Sequence, residues 1–278
     1  MAVLFGVLSA VFSGAGDFFG GLASKTGRPL AVGIANHATG VIVGVPIAMV
    51  LVGSPIATDL WWGAAAGLSG GLAILALYRG FAVSDIAVVS PIAAVGAAGW
   101  PVLFSLVTGD RPSAAQAAGL GLGLAAIWTV GGSSVGGRRR RATAAGVGFG
   151  MGAGLGFGGL LIFLSFVGED AGVWPLVPAR LAGGGLLLVI GLLTSADLVP
   201  HRPSRIPAAA AGALTFIGNG SFVLAVNRGS LAVVSVLAAM FPAMTVLLAH
   251  FVLGEVLGKR RLTGLAMALV AVGLVAIG

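Results

Sequence analysis

The chain has 278 residues, 58% of them hydrophobic and 8% charged, with a mean hydropathy of +1.10, so it needs lipid as its solvent. Absence of cysteine excludes disulfides, thiolate nucleophiles and the usual zinc and iron–sulfur ligand sets. The formal charge of +7 comes from basic residues set singly or in short clusters between apolar runs, where they orient a membrane protein rather than bind nucleic acid.

A spanning helix takes about 20 apolar residues, so ten spans with short loops use up the length. The first run, 2–22, has no basic flank of the kind that opens a signal peptide and is read as a retained helix. It carries Asp17, the one carboxylate that falls inside a span. Next come 30–52, with Asn36 and His37, and 60–81, which opens on Trp61 and Trp62 and ends near Tyr78. The fourth span, 86–107, holds Ser90, Pro91, Trp100 and Pro101, and the fifth covers 113–132. A basic linker at 134–142, with Arg138 to Arg141, precedes the sixth span, 143–167. There glycine stands at alternate positions from Gly146 to Gly158, followed by Phe163, with Phe157 between the last two. Period two suggests a strand, yet a lone strand in lipid leaves its backbone unsatisfied, so a helix with slim faces is expected. The seventh span, 173–194, begins beside Trp174 and holds Arg180. The eighth, 206–227, holds Asn219; the ninth, 231–253, holds Ser235, Pro242 and His250; the tenth is 262–278. Tryptophans at span starts mark the headgroup region.

Sliding the chain by about 145 residues aligns the third to fifth spans with the eighth to tenth without a gap. Ala64-Ala65-Ala66-Gly67 meets Ala209-Ala210-Ala211-Gly212, Ala87-Val88-Val89-Ser90 meets Ala232-Val233-Val234-Ser235, and Gly109-Asp110 meets Gly254-Glu255. Two units, 1–133 and 143–278, each with five spans, must insert with opposite orientation, which makes an inverted repeat. Lysines and arginines fall mainly in alternate loops, a bias that puts both termini outside and the 134–142 linker in the cytoplasm.

This layout resembles the drug/metabolite transporter superfamily, specifically its ten-span EamA-type members with duplicated five-helix units. The closing signatures carry the resemblance: Ser90-Pro91-Ile92, Gly109-Asp110-Arg111 and Gly119 in the first half, and Ser235, Phe241-Pro242, Gly254-Glu255 and Gly264 in the second. Arg180 looks like the arginine that the family carries in the second helix of a unit; Asn36 stands at the matching place of the first half. The resemblance implies an all-α multi-pass protein of the bacterial inner membrane that exports or exchanges small metabolites, with both termini in the cytoplasm, opposite to the orientation that the charge bias favours. Amino acids come first among the metabolites, aromatic or other neutral ones included, moved by alternating access around a central cavity.

If the first, third, fourth, sixth, eighth and ninth spans line that cavity, as the resemblance implies, its substrate-binding residues are Tyr78, Ser90, Trp100, Phe157, Phe163, Asn219 and Ser235. Charge inside a bilayer is costly, so Asp17, Arg180 and His37 are candidate charge or proton sites. Asp17 is a cation or proton site, or a helix-end residue solvated from the loop. Arg180 holds a substrate carboxylate or clamps helix-end carbonyls. His37 and His250 titrate in a relay or simply fill space. Pro91, Pro101 and Pro242 each remove a helical hydrogen bond and are candidate hinges. No metal or cofactor is expected, and the chain is expected to be a monomer or weak homodimer whose partners are the small-molecule substrate and the bilayer. The competing readings are a membrane-embedded enzyme acting on lipid-like substrates and a channel. The enzyme reading lacks clustered carboxylates and HExxH; the channel is distinguished by flux that does not saturate.

Overall fold

The computed structural model describes residues 1–51, 53–84, 86–131, 143–253 and 258–277. The expected 134–142 linker, Asp85 and the Gly254-Glu255 signature lie outside the described residues. Among those described there is no strand. The helices are α1 (Ala2–Thr26), α2 (Pro29–Val50), α3 (Ala57–Val83), α4 (Ile86–Val107), α5 (Ala114–Gly131), α6 (Ala144–Ser165), α7 (Leu176–Leu193), α8 (Arg202–Val226), α9 (Leu231–Ala238), α10 (Phe241–Leu253) and α11 (Lys259–Ile277). Seven segments are long and apolar enough to cross a bilayer, and α4, α5 and α11 contribute shorter apolar stretches. The ten expected spans are all helical, with one difference: the ninth is broken into α9 and α10.

The cause of that break is Pro242, which lacks the N–H that would bond the carbonyl of Ala238. Ala239 and Met240 form the intervening turn, closed by the Met240 N–H on the Leu237 carbonyl at 3.1 Å and the Ala243 N–H on the Met240 carbonyl at 2.9 Å. Pro91 and Pro101 do not interrupt α4, which is continuous from Ile86 to Val107. The first helix also runs past the expected end at residue 22, reaching Thr26.

With almost no side-chain volume on facing surfaces, the helices pack backbone to backbone. On α3, Gly63, Gly67 and Gly71 recur every four residues and so share one face. A Cβ at Gly63 would stand 2.0 Å from the Pro175 carbonyl oxygen, and one at Gly67 1.9 Å from that of Ala179; at Gly71 it would meet the backbone of Gly183 at 3.1 Å. The alternating glycines of α6 serve two neighbours. Gly146, Gly150, Gly154 and Gly158 abut Ser84 and α4, while Gly156 and Gly159 abut α3 at Ala73 and Ser69. The space beside the α6 main chain is thus taken by other helices rather than kept for a ligand. α1 is held alike between α10, which meets Gly14 through the Phe241 carbonyl, and α8, which meets Gly16 through Thr215. Helices α5 and α11 pair with each other and close the side of α4 and α9 around Leu120, Ile127, Val236 and Ala271.

Short polar contacts gather the helix ends into two sets. In one, Thr26 and Ser204 share a 2.8 Å hydrogen bond, Arg28 pairs with Asp197 at 3.1 Å, and the Thr143 hydroxyl donates to the Val83 carbonyl at 3.1 Å. In the other, the Ser54 N–H donates to the Asp170 carbonyl at 2.7 Å, and Asp59 accepts from the N–H groups of Ile56 at 3.0 Å and Gly168 at 2.9 Å. Asp110 belongs to the second set as well, accepting from the hydroxyls of Ser105, at 2.6 Å, and Ser230. Large apolar side chains such as Ile42, Leu103, Leu193, Phe251 and Leu269 point outward, as a lipid-facing belt requires.

Candidate substrate cavity

The helices leave a cavity at their centre, containing about 850 Å³ of space not filled by atoms and partly open to the outside. All helices except α5 and α11 contribute to its wall. On α1, Ser9, Ser13 and Asp17 follow one another at four-residue spacing and line one face. α3 adds Gly70, Ile74 and Tyr78, again four apart; α8 adds Thr215 and Asn219; α6 adds Phe157, Leu160 and Leu161. From α2 and α7, two helices not expected at the centre, come Asn36, His37, Ala179 and Arg180. Ala238, Ala239 and Phe241 place the break of the ninth span in the cavity wall.

Two charges face this space. Because α1 continues to Thr26, Asp17 lies nine residues from the helix end, about 13 Å along the axis, and not at the rim. The helix-end reading of Asp17 therefore gives way to a carboxylate near the middle of its span. Arg180 is 4% exposed. Its side chain crosses α2 at Gly40, where a Cβ would meet the Arg180 Cδ at 2.8 Å. There Nη1 donates to Asn36 Oδ1 at 3.1 Å and Nη2 to Thr215 Oγ1 at 3.2 Å. Thr215 gives its own hydroxyl proton to the Ala211 carbonyl at 2.8 Å, so it can accept from the guanidinium. No carboxylate reaches Arg180 among the described residues. The clamp on helix-end carbonyls is replaced by two side-chain acceptors, one of them the Asn36 that matches Arg180 across the proposed halves.

The polar atoms beside the guanidinium are incompletely satisfied. Asn36 is 1% exposed and His37 4%, and Asn36 Nδ2, His37 Nδ1 and His37 Nε2 are buried with no hydrogen-bond partner among the described residues. His37 is pressed against α7, its Cε1 2.5 Å from where a Cβ of Gly183 would stand. Across the cavity the Tyr78 hydroxyl fills the notch at Gly20, one turn from Asp17. Tyr78 shares the cavity wall with Asp17 and Arg180, which do not pair with each other.

The other expected site residues lie elsewhere. Trp100 is 47% exposed and covers α6 at Gly158, outside the cavity wall. Phe163 stacks on Trp62, with ring centroids 6.0 Å apart and an interplanar angle of 19°, in an aromatic cluster with Phe166 away from the cavity. Ser235 is wholly buried within the core, its Oγ unpaired, and does not reach the cavity. Both Ser90 and Pro91 sit in the first turns of α4, with side chains outside the described residues. Pro101 is buried in α4, and His250 is in α10 beside Phe251, neither of them at the cavity. Tyr78, Phe157, Asn219, Asp17, Arg180 and His37 are brought together. Unforeseen members are Ser9, Ser13 and Thr215, although a hydroxyl every fourth residue leading to Asp17, and Thr215 one turn before Asn219, were patterns available to find them.

Outside the membrane, burial tends to raise the Asp110 carboxyl, but the hydroxyls of Ser105 and Ser230 and the Arg111 backbone N–H outweigh it and hold the group below the usual carboxylate range.

Residues 144–277 match the model of the EamA-like transporter family. A solved crystal structure superposes with a TM-score of 0.79 over 99% of this chain and 96% of that one, at 16% identity, which shows the fold alone. No curated protein matches in sequence.

Proposed function

Because residues 144–277 match the model of the EamA-like transporter family, we propose that the chain is a secondary carrier of small metabolites, with amino acids the foremost class. In this reading it exports or exchanges its substrate across the bacterial inner membrane by exposing the central cavity to one side at a time. The observation that carries the proposal is the cavity itself: a largely apolar wall with a few polar groups facing inward, the make-up typical of small-molecule sites. An intramembrane Asp17 and Arg180 that both face it, without pairing, are functional residues by default, because lipid makes idle charges costly.

We take the architecture to be two inverted five-helix units, 1–133 and 143–278. Helix pairing supports this. α1 packs extensively on α8 as α6 packs on α3; α3 lies on α7 as α8 lies on α2; α5 and α11, the last helix of each unit, lie together. The cavity then sits on the pseudo-two-fold axis, where Arg180 and Asn36 meet from matching helices, as alternating access between repeats requires. Purified protein in liposomes preloaded with an unlabelled amino acid is expected to accumulate the labelled form transiently by counterflow, with saturable rates. A panel of amino acids, nucleosides and sugars that yields no saturable flux would remove the carrier reading.

A further inference from the structure

We propose that the cavity is built for a zwitterion, with the anionic end of the substrate bound by Arg180 and Asn36 and its ammonium by Asp17. The inference rests on the carrier reading above and goes on to assign each pole to named side chains.

The anion pole follows from counting donors. A guanidinium has five N–H groups, and the bonds to Asn36 Oδ1 and Thr215 Oγ1 use two. Both acceptors are neutral, so the positive charge of this buried side chain has no counter-charge among the described residues. The Asn36 amide spends its oxygen on Arg180 and leaves Nδ2 buried and unpaired. A carboxylate can accept from a guanidinium and an amide together, which supplies both the missing charge and the missing acceptor. A hydroxyl or carbonyl of a sugar or nucleoside would fill the acceptor but leave the charge.

The cation pole is on α1. Asp17 faces the same space with no ion pair among the described residues, and Ser13 and Ser9 continue its face along α1 with hydroxyls that can accept from an ammonium. Between the poles the wall is largely apolar, with Ile74, Phe157 and Leu161, and so suits an uncharged side chain. A buried charge left alone costs more than the same charge paired, and a ligand carrying both signs in one small body completes both at once. A carboxylate alone or an amine alone leaves one wall charge unpaired.

The test is competition for transport and for thermal stabilisation of the full-length protein. Glycine, L-threonine, L-leucine and L-phenylalanine are each compared with the corresponding amide, which lacks the carboxylate, and the des-amino acid, which lacks the ammonium. At least one zwitterion is expected to be carried and to raise Tm, with both its analogues at least tenfold weaker. In Arg180→Gln the discrimination against the amide should shrink, and in Asp17→Asn that against the des-amino acid, each leaving the other ratio in place. The wild-type ratios decide the matter even if a variant does not fold. Saturable flux of a sugar or nucleoside, or analogues carried as well as the zwitterion, overturns this assignment and leaves the carrier standing. Absence of saturable flux for every solute overturns the carrier itself.

Discussion

Among the described glycines Gly67 leaves the least room for a side chain, since an added Cβ would lie 1.9 Å from the Ala179 carbonyl oxygen. Backbone cannot yield there as a flexible side chain would, so Gly67→Ala should force α3 and α7 apart and destabilise the detergent-solubilised protein by roughly 1–3 kcal/mol, visible as a lower Tm. Gly148, where a Cβ meets nothing, is the matched control, and its replacement by alanine should leave Tm close to the parent value. Asp110 allows a pH prediction. Because its folded carboxyl titrates below the unfolded value of about 3.9, its contribution is full above that value and is lost as pH falls through the lower folded one. Asp110→Asn should therefore flatten the acid limb of a Tm-against-pH curve below about pH 4 and leave its neutral limb parallel. The effect should be modest, since the carboxylate is partly exposed. At this scale the sequence was a good guide to which residues are costly in lipid, and a poor one to direction. Asp17, Arg180 and His37 stood out by chemistry alone, whereas Trp100, Phe163 and Ser235 failed because a hydrophobic run does not fix the rotation of its helix. With apolar residues on every side, no polar stripe says which flank faces inward.

At the scale of elements, the break between α9 and α10 is the feature most open to test. Its turn lies in the cavity wall, and Phe241 is both the first residue of α10 and a wall residue. Pro242→Ala restores a donor for the Ala238 carbonyl and should favour one unbroken helix. If the break is a pivot, counterflow should slow several-fold while amino-acid-induced Tm shifts persist; unchanged flux would show that the break is only architectural. Pro242 was legible as an interruption, yet Pro91 and Pro101 carried the same signal and α4 passes through them. Proline removes one bond wherever it stands, and neighbours decide whether the helix stops or absorbs the loss. The period-two glycines of α6 resolve similarly: the series from Gly146 to Gly158 abuts Ser84 and α4, and of the intervening one Gly152 and Gly156 face α3 while Gly148 is open. More telling for packing was the quieter series Gly63, Gly67 and Gly71, masked in the sequence by surrounding alanines.

For the whole molecule, the apolar runs and the breaks between them gave ten helical stretches, seven of them long and apolar enough to cross a bilayer, and their boundaries agree with the helices to within a few residues except where α1, α3 and α8 run on into their loops. Orientation is a separate matter, and the natural lack of cysteine makes it easy to measure. Single cysteines at Ser54, between α2 and α3, and Val199, between α7 and α8, mark corresponding loops of the two units. In intact cells an impermeant maleimide should label Ser54→Cys and spare Val199→Cys, as inverted units and the basic-loop bias require; labelling of both from one side would dismiss the inversion. The seam between α3 and α7 bears on how such a machine can work. One of these helices precedes the basic linker and the other follows it, yet they touch main chain to main chain over two full turns. They are riveted into a single girder shared by both portions of the polypeptide. If the chamber opens first to one compartment and then to the other, as proposed, the portions do not swing apart as two shells of a clam, and the motion must bend around that girder.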